Sequence, residues 1–508
     1  VAAASPVRPR VEEITTVTRP PPSASTLEAF RQALGPGQTS EAPELLDGYR
    51  RDLSLVEGAR PALIVYPESR AQLQSIVALA ARTVTPLIPV SSGAPHSLGD
   101  TVPTVGGVIV DFGRMRRIIK LDAYNRLVRV EPGVTFAELL PALDRAGQRL
   151  NVPLAPRANK SVVTSALERE VSIMPKYDFD FMDPLTTLEV VYGNGADFRT
   201  GSAAGPGQVD GTLSADLASP WGPGAIDYYR LLSAAQGTLG LVTWAVLRTE
   251  IKPQLRHLHF IALPDSERAL GPIEQILRKR VADECLLLDR TTLATLLAPA
   301  ATDIRPLAAQ LPRFTLIVGI AGYLRRPEER VAVYENTLHE ICGSAALVAQ
   351  RELPGAAGLE KRVEAVIAQP WNAEPHWKLR RDESGLEIFF LCPLSRFPAY
   401  VRQMEALVRA SPVADLDYGV YVQPAVQGRG AQVSFTLPFN SATRAAVTAL
   451  YLESSAALMN SGAFFSRPYG PWAPMVYAKD REGAQMLRRL KGVFDPAGIL
   501  NPGKLCFQ

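Results

Sequence analysis

Residues 90–111 read VSSGAPHSLGDTVPTVGGVIVD. An apolar run at residues 86–90 stops there at two serines and a glycine, and a second run at residues 108–110 closes on Asp111. This pattern predicts a strand, a tight turn of small residues and another strand. Such a turn exposes backbone N–H groups, and Ser91, Ser92 and Ser97 add hydroxyls. Convergent donors with little side-chain bulk suit a phosphate or pyrophosphate.

Outward from the turn, strand and helix alternate. Residues 62–66 predict a strand, and Leu73, Ile76, Val77 and Ala80 form the buried stripe of the helix that follows. Residues 25–35 predict a short helix capped by Ser25 or Thr26. Strands are predicted at 118–121 and 127–130, a helix from Val134 to Ala146, and a turn-to-helix element at 161–167. Residues 188–192 form a strong strand signal before the Gly193-Asn194-Gly195 hairpin. Residues 202–224, rich in Gly, Ala, Ser and Pro, read as a loop, and 236–243 as a glycine turn entering a strand. This half reads as α/β. After Pro253 four strands (255–263, 314–322, 386–392, 432–437) alternate with helices near 267–279, 327–341, 400–410 and 442–461. Such a set predicts an antiparallel sheet with helices on one face. An amphipathic unit at 484–493 leads into two Pro/Gly turns and a tail fixed against something.

The 508 residues allow two or three domains with real cores, and 47% apolar with 21% charged residues predicts a soluble globular protein. A net charge of +3 gives no reason to expect nucleic acid or an anionic membrane as partner, and no apolar run reaches the length of a membrane span. Cys285, Cys342, Cys392 and Cys506 lie too far apart for zinc or iron–sulfur spacing and read as buried thiols. His257 and His259 alternate on a strand, so a metal pair or a half-exposed face are both open. Residues 1–26 lack a hydrophobic signal core and read as an extended arm, which leaves the cytoplasm and, if a signal was removed, the periplasm both open.

EPGVT at 131–135, LEVVYGNGADFRTG at 188–201, QGTLGLVT at 236–243 and DPAGILNPGK at 495–504, together with the strand-Pro-helix unit and the serine-glycine turn, resemble the vanillyl-alcohol oxidase and p-cresol methylhydroxylase flavoproteins. The resemblance runs from about residue 60 to 504. SVVTSALEREVSIMPKYD at 161–178 is similar to SVLGNALERGxGYTPYGD of the phenol-oxidising branch. It implies an α+β protein: a two-part FAD-binding domain at 27–254 and 484–508, and an antiparallel-sheet substrate domain at 255–483. It implies FAD on Ser91, Ser92, Gly93, Ala94, Pro95, His96, Ser97, Asn159, Lys160, Ser161, Ser165, Gly240, Val242 and Lys504. The implied reaction is hydride transfer from a benzylic or alcohol carbon of a phenolic or hydroxy-acid small molecule to flavin N5. Oxygen or a cytochrome c is the implied reoxidant and a homo- or heterodimer the expected assembly; a paralogous flavoprotein subunit is the partner expected if the chain is a degenerate member.

The departures from that branch fall on cofactor and substrate positions. Its triple glycine is Ala158-Asn159-Lys160 here, and two further glycines are Thr164 and Glu170. Side chains there would crowd a pyrophosphate, although Lys160 could pair with it. The position of the active-site aspartate is Pro156, and the flavin-linking residue falls near Gln432 or Val433, so noncovalent FAD is expected rather than a link at His96. The phenolate clamp falls at Leu98, Ser466 and Arg467. Arg467 is then expected to anchor an anion, with Tyr469 or Glu168 in support. Two further readings stand beside this enzyme: a degenerate, FAD-poor subunit of an active flavoprotein, and a protein that binds a free nucleotide or sugar phosphate.

Overall fold

The computed structural model describes residues 19–175, 184–204, 217–222, 224 and 226–507. Most of the predicted arm and of the predicted loop at 202–224 therefore lies outside the described residues, as does the end of the 161–178 motif. The first sheet has the strand order Thr39–Ser40, Leu63–Val65, Val108–Asp111, Leu87–Val90. Its last three strands are parallel. The helix Arg70–Thr83 joins two of them, capped by Ser69, whose hydroxyl accepts from Gln72 N. Leu73, Ile76, Val77 and Ala80 are buried as the stripe predicts. The first helix is Ala24–Gln32, with Ser23 as its cap in place of the expected Ser25 or Thr26.

The C-terminal tail closes this sheet. Leu87 N donates to Ile499 O at 2.8 Å and Asn501 N to Leu87 O at 2.9 Å. Asp495 folds the tail by accepting from Ile499 N, Leu500 N and the Lys491 ammonium. A second, antiparallel sheet orders Ile118–Asp122, Leu127–Val130, Leu241–Arg248, Leu185–Val191 and Asp197–Arg199. The helix Phe136–Arg145 opens on a Thr135/Glu138 capping box and buries Phe136, Leu139 and Leu143.

The third sheet has seven strands, in the order Ala349–Gln350, Leu255–Leu263, Phe314–Gly322, Glu284–Asp289, Gly419–Ala425, Gly430–Phe439, Ser384–Pro393, all antiparallel. Two corrections follow. The four expected strands are present, but three more join them. Helices cover both faces rather than one: Ile261, Leu287 and Leu316 pack in one core, Phe260, Leu286 and Ile317 in another. Alternation sends neighbouring residues to opposite faces, and these strands are apolar at both. His257 and His259 share one partner, Glu335 Oε1, at 2.7 and 3.1 Å. No grouping of metal-binding side chains occurs among the described residues. All four cysteines are buried and free. No helix of the described residues is long and apolar enough to cross a membrane.

Candidate functional site

The serine-glycine turn leaves the carboxyl end of strand Leu87–Val90, the place where parallel α/β sheets gather ligands. It forms one wall of a cavity of about 1180 Å³, counted out to its open mouth, and Gly237, Gly240, Leu241 and Val242 form part of the other. Gly237 sits at φ +68°, and a Cβ there would stand 2.2 Å from Pro89 Cγ, so a side chain would push this wall off the turn. The amides of Ser92, Ala94, His96 and Ser97 find no acceptor among the described residues. The C-terminal tail holds the turn from behind: the Lys504 ammonium donates to Gly99 O at 2.7 Å and Val102 O at 2.6 Å, and Asn501 Nδ2 donates to Asp100 O at 2.9 Å. Burial pushes Lys504 down to about 8 against the pull of Asp100.

Residues 159–164 cross the turn and are stitched to it. Gly93 N donates to Asn159 O at 2.9 Å, Asn159 Nδ2 to Ala94 O at 2.7 Å, and Ser161 N to Ser92 Oγ at 3.1 Å. The hydroxyls of Ser91 and Thr164 are also bonded to each other. Ser161 caps the helix Val162–Leu167.

At the end of the cavity stands a buried charge cluster. The Lys160 ammonium lies 2.7 Å from Glu168 Oε2 and 2.8 Å from Glu170 Oε1, and the Ser165 hydroxyl donates to Glu170 Oε2 at 2.5 Å. Two carboxylates thus share one ammonium. Burial raises the Glu168 carboxyl to about 7, with Lys160 opposing and Glu170 adding to the rise. Burial works to raise Glu170 as well, but Lys160, Arg467 and Ser165 hold it at about 2. Burial would lower Lys160, yet the two carboxylates hold it above its ordinary value. Lys160, Glu168 and Tyr469 line the cavity. The Tyr469 hydroxyl is pushed far up by burial and by Glu168 and Asp100. Arg467 lies outside the cavity lining. It donates from Nη2 to Gln432 Oε1 at 3.1 Å and stacks 4.3 Å above the Phe389 ring.

Ser97, Leu98, Arg157 and Tyr469 also line a second chamber of about 740 Å³, counted out to its mouth, against the seven-stranded sheet. Phe389, Tyr451 and Trp472 give it aromatic walls, and His376, Lys378 and Glu387 are its other polar residues of note.

Residues 61–200 match the family described as FAD binding domain, and residues 472–505 that of FAD linked oxidases, C-terminal domain. The chain is 24% identical over 468 residues to glycolate oxidase subunit GlcD of Bacillus subtilis, covering 90% of this chain and 91% of the relative. It is 31% identical over 189 residues to the 4-cresol dehydrogenase [hydroxylating] flavoprotein subunit of Pseudomonas putida, covering 36% of this chain and 35% of that one. The crystal structure of p-cresol methylhydroxylase with substrate bound superposes with a TM-score of 0.80 at 18% identity, over 95% of this chain and 96% of that one. The chain carries an FAD-binding domain and the C-terminal domain of FAD-linked oxidases, and it has the fold of p-cresol methylhydroxylase. It is a flavoprotein oxidoreductase, and its cofactor is FAD.

The flavoprotein's residues fit that cofactor on one observation: three unpartnered amides, of Ser92, His96 and Ser97, belong to residues that line a glycine-walled cavity, while Ala94 lies outside the lining. Ser91, Gly93, Pro95, Gly240 and Val242 share that lining with Lys160 and Glu168. His96 also lines it, its ring stacked on Tyr49 with centroids 6.1 Å apart. Four of the residues expected at the cofactor have protein partners. Lys160 pairs with Glu168 and Glu170 rather than presenting a free ammonium. Asn159 spends its amide on Ala94 O. Ser165 serves Glu170. Lys504 braces the turn instead of facing the cavity. Ser161 lies outside the lining and is spent on its helix cap and on Pro132 O, to which its hydroxyl donates at 2.5 Å. Sequence reasoning missed Arg157, which follows the Pro156 position, and the partnership of Glu170 with Lys160. An ammonium eight and ten residues before two acids was the available signal.

Proposed function

We propose that this flavoprotein oxidises a small alcohol or phenol, the hydride leaving a hydroxyl-bearing or benzylic carbon. The observation that carries the proposal is Glu168, a cavity-lining carboxyl whose shared ammonium and burial set it near neutrality beside Tyr469. FAD, when bound, supplies the hydride acceptor. The chain's own residues bind and move the proton. The amides of Ser92, His96 and Ser97 would hold the pyrophosphate, with Gly240 and Val242 on the opposite wall. Glu168 accepts the substrate hydroxyl proton, since a general base works best when its pKa lies near the operating pH. Lys160 and Arg467 keep Glu170 ionised, so Glu168 is the member of the pair left to take the proton. Tyr469, neutral throughout the accessible range, donates a hydrogen bond to the substrate oxygen. Support for phenolic and hydroxy-acid substrates comes from relatives named for 4-cresol and glycolate. The test is anaerobic mixing of purified protein with 2-hydroxy acids and 4-alkylphenols. Bleaching of the flavin bands by a member of either class supports the proposal, and bands unmoved by both sink it.

The flavin is held without a covalent bond in this reading, because Gln432 carries no nucleophile and His96 is stacked on Tyr49. Acid precipitation should carry the yellow colour into the supernatant; colour in the pellet overturns this.

The stitching of residues 159–164 to the turn favours a second reading, an FAD-poor subunit beside an active flavoprotein. Each of those four bonds satisfies a group that a pyrophosphate would otherwise meet. A colourless protein that takes up no added FAD decides for it.

A further inference from the structure

The second chamber differs from the first in charge. The Lys378 ammonium is neutralised by both oxygens of Glu387, at 2.7 and 2.6 Å. The His376 ring N–H donates to Ala155 O at 3.1 Å, and burial pushes this histidine down to about 3, so it is neutral. Arg157 is different. Its side chain is 13% exposed, while its partner Glu374, 2.6 Å away, is 59% exposed and screened by water. Only Nη1 makes that bond; Nε and Nη2 find no acceptor among the described residues. The chamber wall therefore carries one cation whose charge and planar donor fork are largely unspent.

The position of Arg157 is built rather than incidental. Ala158 N donates to Trp371 O at 3.0 Å and Trp371 N to Pro156 O at 2.7 Å, so a segment leading to the seven-stranded sheet clamps the backbone on both sides of it. Arg157, Ser97, Leu98 and Tyr469 border both spaces. An anion on Arg157 thus lies at the junction. Its adjacent carbon would lie towards Glu168 and Tyr469, and its apolar remainder against Phe389, Tyr451 and Trp472.

We propose that the second chamber binds a carboxylate bearing an aromatic group, with the carboxylate on Arg157 and the ring on the Phe389–Tyr451–Trp472 wall, making Arg157 the specificity-determining residue. The inference rests on the proposed oxidation for its orientation: the oxidised carbon is the hydroxyl-bearing one next to the carboxylate. This anchor is separate from Arg467, which is committed to Gln432 and Phe389.

The experiment is titration calorimetry on the full chain as purified, with mandelate and with 1-phenylethane-1,2-diol, which replaces the carboxylate by a neutral group. Mandelate should bind about tenfold or more tightly than the diol, the size of one charged hydrogen-bonded contact. R157Q should bring the two affinities within about twofold while leaving diol affinity and flavin content unchanged. R157K, which keeps charge and loses the fork, should lie between. Equal binding of acid and diol by the natural chain, or a preference that survives in R157Q, overturns the inference. If R157Q does not fold, R157K decides: full retention of the preference overturns the role of the fork. Binding and turnover fail separately here. Mandelate preference with no flavin bleaching leaves this site standing and removes the proposed oxidation, whereas oxidation of neutral phenols with no acid preference does the reverse.

Discussion

Glu168 and Glu170 are two residues apart in sequence and opposite in behaviour. Both are buried beside one ammonium, but Glu170 also feels Arg467 and the Ser165 hydroxyl. The result is one carboxyl near 7 and one near 2, an environment that separates an ionised spectator from a working acid–base group. The sign of the pH dependence follows. Below about 7 Glu168 holds its proton and cannot accept another; as pH rises through that value it becomes the base. The profile of kcat/KM should therefore climb through a limb near 7. E168Q should lower kcat by about 10²- to 10⁴-fold and abolish the limb. A limb unchanged in E168Q assigns it to another group. Arg467, expected from sequence to meet the substrate, lies outside the cavity lining and in the proposed mechanism acts through Glu170.

The turn and the 159–164 segment form the element on which cofactor affinity depends. Asn159 and Thr164 stand where the resemblance has glycines, and each bonds to the turn. N159G/T164G should free the Ser91 hydroxyl, remove two side chains from the turn and raise FAD affinity, read by flavin content after dialysis and by calorimetric titration of the apoprotein. Unchanged affinity would mean that the stitches cost the cofactor nothing. Lys160, though at another of these positions, has to stay. Removing its ammonium leaves Glu168 buried without its counter-charge and Glu170 with Arg467 alone, a loss of roughly 3–5 kcal/mol for a broken buried pair. The sequence marks all three positions as departures; the contacts separate two that bridge the turn from one that balances charge.

At the scale of the whole molecule, a buried charge network ties a short strand of the FAD-binding half to the third sheet. Arg149, on the short strand Gln148–Arg149, reaches Glu284 Oε1 at 2.9 Å and donates to the Tyr323 hydroxyl at 2.6 Å, which donates in turn to Asp283 at 2.7 Å. Glu284 is 2% exposed, and R149M leaves it only the more distant Arg256, 3.8 Å away. Unfolding in urea should show a loss of about 3–5 kcal/mol, whereas a loss under about 1 kcal/mol would place the junction's stability in its apolar contacts.

The periodicity of the chain determined most of its elements. Strands 255–263 and 314–322 and the stripe of helix Arg70–Thr83 lie where local alternation and 3.6-residue spacing put them, because those signals are carried by neighbouring residues. The turn at 91–98 was legible for the same reason, as small residues between two apolar runs. Glu284–Asp289 and Gly419–Ala425 were not, since an acid-bracketed ECLLLD and a Pro-ended GVYVQPA give weak strand signals until partners on both sides pair with them. The site divided in the same way. Local reading found the serines and glycines that line the cavity. Tertiary structure alone decided that Lys160 faces two carboxylates, that Lys504 braces the turn from 405 residues away, and that Arg157 stands between two chambers. Burial and pairing set the charge and direction of such groups, and both depend on residues far apart in the chain.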